Sequence, residues 1–174
     1  SACLVGSEMC IRDSLGAEKF IDIKCRKSGF KPDCVVIVAT IRALKMHGGV
    51  KKNELKKENL EALKKGLANL ERHINNTRKF GIPVAVAVNH FAADSSKEVN
   101  FLINFCKNFG VDISLCTHWS DGGNGTKDLA STVVKICKKS KNTFRFLYED
   151  KLPLFKKIEK IGQEIYHASE VVAD

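Results

Sequence analysis

The stretch IPVAVAVN, Ile82–Asn89, meets no polar residue until its last position. It is too short for a typical helix, and valine fills every second place with alanine between. A strand wetted on one side would alternate apolar with polar residues; a continuous apolar run reads as a strand covered on both faces. Gly81 and Pro83 mark the end of whatever precedes it. CVVIVAT, Cys34–Thr40, has the same character, and VDISLC, 111–116, is a third short run.

Helical patterns separate these runs. From about Lys57 to Lys79, Leu60, Leu63, Leu67, Leu70 and Ile74 recur as one apolar stripe. Ser95 with Glu98 three residues on is a capping-box pattern and opens SSKEVNFLINFCKNFG, 95–110. LGAEKFIDIKCRKSG, 15–29, reads as a helix closed by Gly29. TKDLASTVVKICKKS, 126–140, and LPLFKKIEKIGQEIYHAS, 152–169, read as two more. KMHGGVKKNEL, 45–55, reads as a loop, and TFRFLY, 143–148, as a candidate fourth strand. Strands alternating with helices predict an α/β fold, a mainly parallel sheet with helices on both faces.

Composition narrows the function. The chain has 174 residues, 44% of them hydrophobic, which predicts one domain with a packed core rather than disorder. No apolar run approaches the roughly 20 residues of a membrane-spanning helix. The net charge of +9 invites a nucleic-acid reading. Yet the lysines come in pairs mixed with glutamate, as in KKNELKKENLEALKK, and no aromatics are interleaved with them. That pattern marks solvated helix faces, so a small anionic ligand fits better than nucleic acid. A basic α/β module binding nucleotide or nucleic acid stands as the alternative.

Seven cysteines form no CxxC pair and join no histidine at metal-ligand spacing. Cys25, Cys34, Cys106, Cys116 and Cys137 lie in or beside apolar segments and read as free thiols of a reducing compartment. Residues 1–14, SACLVGSEMCIRDS, show neither a helical nor an alternating period and no signal-peptide design. They resemble translated cloning adapter, which would leave 15–174 as the native part.

In an open α/β sheet, ligands gather beyond the carboxyl ends of the strands. NHFAAD leaves the second strand at Asn89, and THWSDGGNG leaves the third at Thr117. Phe91 and Trp119, the sole tryptophan, stand a few residues past their strands, where two rings could wall a slot for a flat ligand. The plainer alternative is that both rings cap the core. Gly122, Gly123 and Gly125 beside Trp119 would let backbone approach a ligand. His90 and His118 precede the two aromatics and read as loop histidines. GGNGTKD is not GxxxxGK[ST], and the 174 residues contain no such motif. No Ser–His–Asp set, paired carboxylates or metal cluster emerges from the spacing.

Three long pieces resemble the formate–tetrahydrofolate ligases. They are LGAEKFIDIKCRKSGFKPDCVVIVATIRALKMHGGV, ENLEALKKGLANLERHINNTRKFGIPVAVAVNHF and CTHWSDGGNG, in family order from residue 15 to about 169. The resemblance implies a partial P-loop-NTPase-like ligase fold in a cytoplasmic enzyme of one-carbon metabolism. ATP with Mg²⁺ would phosphorylate formate, and the tetrahydrofolate amine would then attack the formyl carbon, giving 10-formyltetrahydrofolate. A monovalent cation and a homo-oligomer are implied for the complete enzyme. Carried over by motif, Phe91 and Trp119 sandwich the folate ring, Asn89 and the Gly122–Gly123 backbone shape the same cleft, and Lys19 lies on the nucleotide side. Ala92 and Ala93 depart from the residues common in the family after NxF. The resemblance places the phosphate loop, the formyl-phosphate residues and the cation site upstream of Leu15. The 174 residues would then be an internal fragment, inactive alone, with no catalytic residue of its own. The bland reading is a piece that only contributes packing surface to the complete enzyme.

Overall fold

The computed structural model describes residues 15–139 and 143–172. The segment 1–14, read above as foreign, lies outside them. Helix α1 covers 15–28 and stops at Gly29, whose φ of 72° suits a residue without Cβ. Its middle, Phe20–Cys25, is π-helical, between α-helical Leu15–Lys19 and Arg26–Ser28. Strands β1 (Val35–Ala39), β2 (Val84–Asn89) and β3 (Asp112–Cys116) form a parallel sheet in the order β1–β2–β3. Helices α2 (Ile41–His47) and α3 (Leu60–Lys79) lie between β1 and β2, and α4 (Ser96–Asn108) between β2 and β3. After β3 come one helical turn, His118–Asp121, a 3₁₀ turn, Gly122–Thr126, and then α5 (Lys127–Lys139) and α6 (Leu154–Glu164).

The register aligns Ile37 with Val86 and Val86 with Ile113, so these three share one face. That face packs on Leu63, Leu67, Leu70 and Ile74 of α3 and on Val99, Leu102 and Cys106 of α4. Burying each leucine or isoleucine contributes about 1.5–3 kcal/mol. Two crossovers that step the same way along a sheet must lie on the same side of it. Ser114, one residue on from Ile113, faces the other way, and its Oγ lies 3.2 Å from Thr132 Oγ1 of α5. Helices therefore lie on both faces of the sheet, as the alternation of strands and helices predicts. Each cap is local chemistry. Asn59 Oδ1 accepts from Ala62 N, and Ser95 and Glu98 form the full capping box.

Four expectations need correction. Residues 143–148 form no strand, and the sheet of the described residues has three. Arg145 N donates to Phe80 O and Leu147 N to Asp22 Oδ1, so this backbone is satisfied across a loop and a side chain rather than along a ladder. Its alternating aromatics instead pack in a second cluster, with Ile21, Phe80, Ile82 and Ile165, near the amino ends of the strands. Residues 41–47, partly read as loop, are helical, because Thr40 Oγ1 caps Ala43 N. Helix α3 begins at Leu60, behind the Asn59 cap, rather than at about Lys57, and Leu60, read as part of its apolar stripe, is 36% exposed. β1 is not covered on both faces: it lies at the sheet edge, and Val38 is 41% exposed.

Candidate functional site

At the carboxyl end of the sheet, Asn89 pairs in register with Cys116, and His90 N donates to Cys116 O at 3.0 Å. The ladder thus runs one step past β2, and Phe91 and Trp119 start from neighbouring backbone positions. Phe91 is half-buried. Its N–H donates to Asp94 Oδ2 at 2.9 Å and its carbonyl accepts from Asp94 N at 2.9 Å, a closed turn that fixes the backbone under the ring. The Arg42 guanidinium carbon lies 4.5 Å from the Phe91 ring centroid. Asn89 Oδ1 and Arg42 Nε are buried here with no hydrogen-bond partner among the described residues.

The tryptophan segment is more ordered than a glycine-rich loop suggests. Thr117 N donates to Gly125 O, and Ser120 N and Asp121 N both donate to Thr117 O. The Thr117 hydroxyl donates to Asp121 Oδ2 at 2.6 Å. The glycines differ in what they do. A Cβ on Gly125 would lie 2.6 Å from the Thr117 carbonyl carbon, so the loop closes only with glycine there. Gly122 has a φ of 54°, and a Cβ on Gly122 or Gly123 would meet open space. Trp119 stands 76% exposed on this closed turn and makes no ring contact with Phe91. The fold brings the two loops to adjacent strand ends, and the rings are not stacked on one another. His90 is half-buried and His118 exposed.

Lys19 is exposed on α1. The residues that follow it, Phe20 and Ile21, pack with Val35, Phe80 and Ile82, so α1 belongs to the amino-end cluster. Beside Lys19 lies a carboxylate pair that sequence spacing alone does not single out. Glu18 and Asp22 are both buried. Burial first, and the Asp22 charge second, raise Glu18 to about 7. Burial raises Asp22 too, against the opposing bond from Leu147 N and the Arg26 charge. Their separation of four on one helix was the available signal. Arg26 spans the same region, 4.1 Å from the Phe146 centroid, 4.7 Å from that of Tyr148, and 2.6 Å from Asp150 Oδ1.

A further pair sits beneath the Phe91 loop. Lys45 of α2 and Glu98 of α4 are each 1% exposed and lie 3.0 Å apart. Lys45 Nζ also donates to Lys57 O, and Glu98 Oε1 accepts from Asn59 N at 2.8 Å. Among the described residues no three His, Cys, Asp or Glu side chains gather as a metal site, and no helix is long and apolar enough to cross a membrane. Cys25, Cys34, Cys106, Cys116 and Cys137 are free thiols, Cys137 exposed.

The sequence matches the family model described as formate–tetrahydrofolate ligase over residues 5–174. The formate–tetrahydrofolate ligase of Pelagibacter ubique (strain HTCC1062) is 68% identical over 160 residues, 92% of this chain and 28% of the relative. That of Sinorhizobium fredii (strain NBRC 101917 / NGR234) is 55% identical over 160 residues, 92% of this chain and 29% of the relative. That of Hyphomonas neptunium (strain ATCC 15444) is 55% identical over 157 residues, 90% and 28%. The chain thus spans less than a third of the length of the curated relatives it matches.

Proposed function

The chain belongs to the formate–tetrahydrofolate ligase family, and we propose from that premise that it supplies the folate-side wall of a ligase active site. The complete protein would join formate to tetrahydrofolate at the expense of ATP, giving 10-formyltetrahydrofolate, ADP and phosphate. Phe91 and Trp119 would stack on the two faces of the folate ring, with Asn89 and the Gly122–Gly123 backbone shaping the cleft. The observation that carries this reading is the His90 N to Cys116 O bond, which starts both loops from neighbouring points. The rings must close on the ligand, because Trp119 stands in solvent. Stacking would then contribute about 0.5–1.5 kcal/mol per ring beyond burial.

The described residues hold no cluster of metal-ligating side chains. From the family resemblance, the magnesium accompanying ATP, the monovalent cation and the phosphate loop of a P-loop-like half are assigned to the remainder of the complete enzyme, with Lys19 on the nucleotide side. The work of this segment is positional. It holds a flat ring so that the amine meets the formyl carbon at one orientation.

The test uses a complete ligase carrying this segment. Trp119→Ala and Phe91→Ala should each weaken tetrahydrofolate binding by about 1–3 kcal/mol and ATP binding much less. Trp119→Ala should leave stability within about 0.5 kcal/mol, as its exposure dictates. Tetrahydrofolate affinity within twofold of the parent in both variants would exclude the slot. Steeply salt-dependent binding of DNA in its place would favour the basic-module alternative.

A further inference from the structure

We infer that Arg42 is a positioning residue of the site: its guanidinium backs one face of the Phe91 ring and holds that ring as a fixed wall. The inference rests on the reading of Phe91 as a ligand wall and adds a residue to it. Arg42 is the second residue of α2, which leaves β1 through the Thr40 cap. β2 lies between β1 and β3. Phe91, following β2, therefore stands between the exits of its two neighbours. The guanidinium, carried by the helix that leaves β1, lies over the ring at 4.5 Å, which leaves the opposite ring face for a ligand.

Two features separate this contact from ordinary core packing. Arg42 Nε is buried without a hydrogen-bond partner among the described residues, a cost that a purely structural arginine avoids by pairing. The loop backbone is also secured without Arg42. One end is held by the β2–β3 ladder, the middle by the Phe91–Asp94 turn, and the other end by the Ser95–Glu98 box anchored on Lys45. What the guanidinium adds is restraint of the ring. A ring already held loses less rotational freedom when a ligand stacks on it. A cation on one face also draws π density from the ring, so the opposite face suits an electron-rich flat heterocycle such as a reduced pterin.

In a complete ligase carrying this segment, Arg42→Met should raise the KM for tetrahydrofolate about 5- to 30-fold. Values of kcat and of KM for ATP and formate should stay within about twofold, and the melting temperature within a few degrees. Arg42→Lys, which keeps the charge but not the planar stack, should fall between. If Phe91→Ala raises the KM for tetrahydrofolate and Arg42→Met does not, the backing role is wrong and the slot stands. If neither variant raises it, the slot reading itself has failed. Equal increases for all three substrates with a lower melting temperature would make Arg42 merely structural. Tighter tetrahydrofolate binding by Arg42→Met would mean that the guanidinium occupies the ligand's own place. Either result overturns the inference.

Discussion

Glu98→Gln tests the buried ion pair that ties α2 to the first turn of α4. In the parent, Lys45 Nζ and Glu98 Oε1 are 3.0 Å apart and both side chains are 1% exposed. The glutamine keeps an oxygen for Asn59 N, so the hydrogen bond at the start of α3 survives. What is lost is the countercharge: the ammonium stays buried with Lys57 O and an uncharged amide oxygen as its acceptors. Breaking such a pair from one side costs about 3–5 kcal/mol. Lys45→Met should cost less, about 2–3 kcal/mol. The carboxylate it strands still accepts from Asn59 N and, more weakly, from Ser95 N at 3.5 Å, and it sits in the first turn of α4, where the helix dipole favours an anion. The double variant should cost less than the two singles added, with a coupling of about 1–3 kcal/mol. Denaturant unfolding followed by far-ultraviolet circular dichroism measures these values. Trp119 fluorescence would not serve, because the indole is already in solvent. A Glu98→Gln cost below about 1 kcal/mol, or one smaller than that of Lys45→Met, would refute the reasoning.

Other outcomes follow from packing and charge. Gly66→Ala should destabilise the chain by about 2–4 kcal/mol in the same unfolding experiment, although alanine is the better helix former by about 1 kcal/mol. A Cβ at Gly66 would lie 1.8 Å from Leu44 O, and one at Gly48 only 1.9 Å from Ala62 O, so α2 and α3 meet backbone to backbone at both places; a neutral Gly66→Ala would show that this contact is not kept. Stability should fall by about 2–3 kcal/mol as pH rises from about 4.5 to about 7. Across that window folded Glu18 holds a proton that the unfolded chain has lost, and the raised Asp22 acts in the same direction. Glu18→Gln should flatten this slope in denaturant midpoints measured against pH, and an unchanged slope would remove Glu18 as its source.

Local rules made most of the elements legible. Asn59, Ser95 with Glu98, and Gly29 act within one turn of chain, and they end the helices where their chemistry places them. The five buried residues of β2 follow from an apolar run with no polar face to turn outward. The adjacency of the Phe91 and Trp119 loops was also readable, since both leave the carboxyl ends of consecutive parallel strands.

What the sequence could not determine depends on partners far along the chain. TFRFLY alternates like a strand, but its aromatics are satisfied by α1, Phe80 and Ile82, so no ladder forms. CVVIVAT has the apolar content of a central strand, and only its edge position leaves Val38 in water. Lys45 is one basic residue among 29, and nothing local marks it as one that becomes buried. Its burial arises because Gly48 and Gly66 let α2 press against α3, beside the Glu98 carboxylate. Arg42 likewise meets Phe91 across 49 positions of sequence only because parallel pairing puts the exits of β1 and β2 side by side. Periodicity and caps act through neighbours in the chain, whereas a buried charge or a backed ring exists only where tertiary packing supplies its other half.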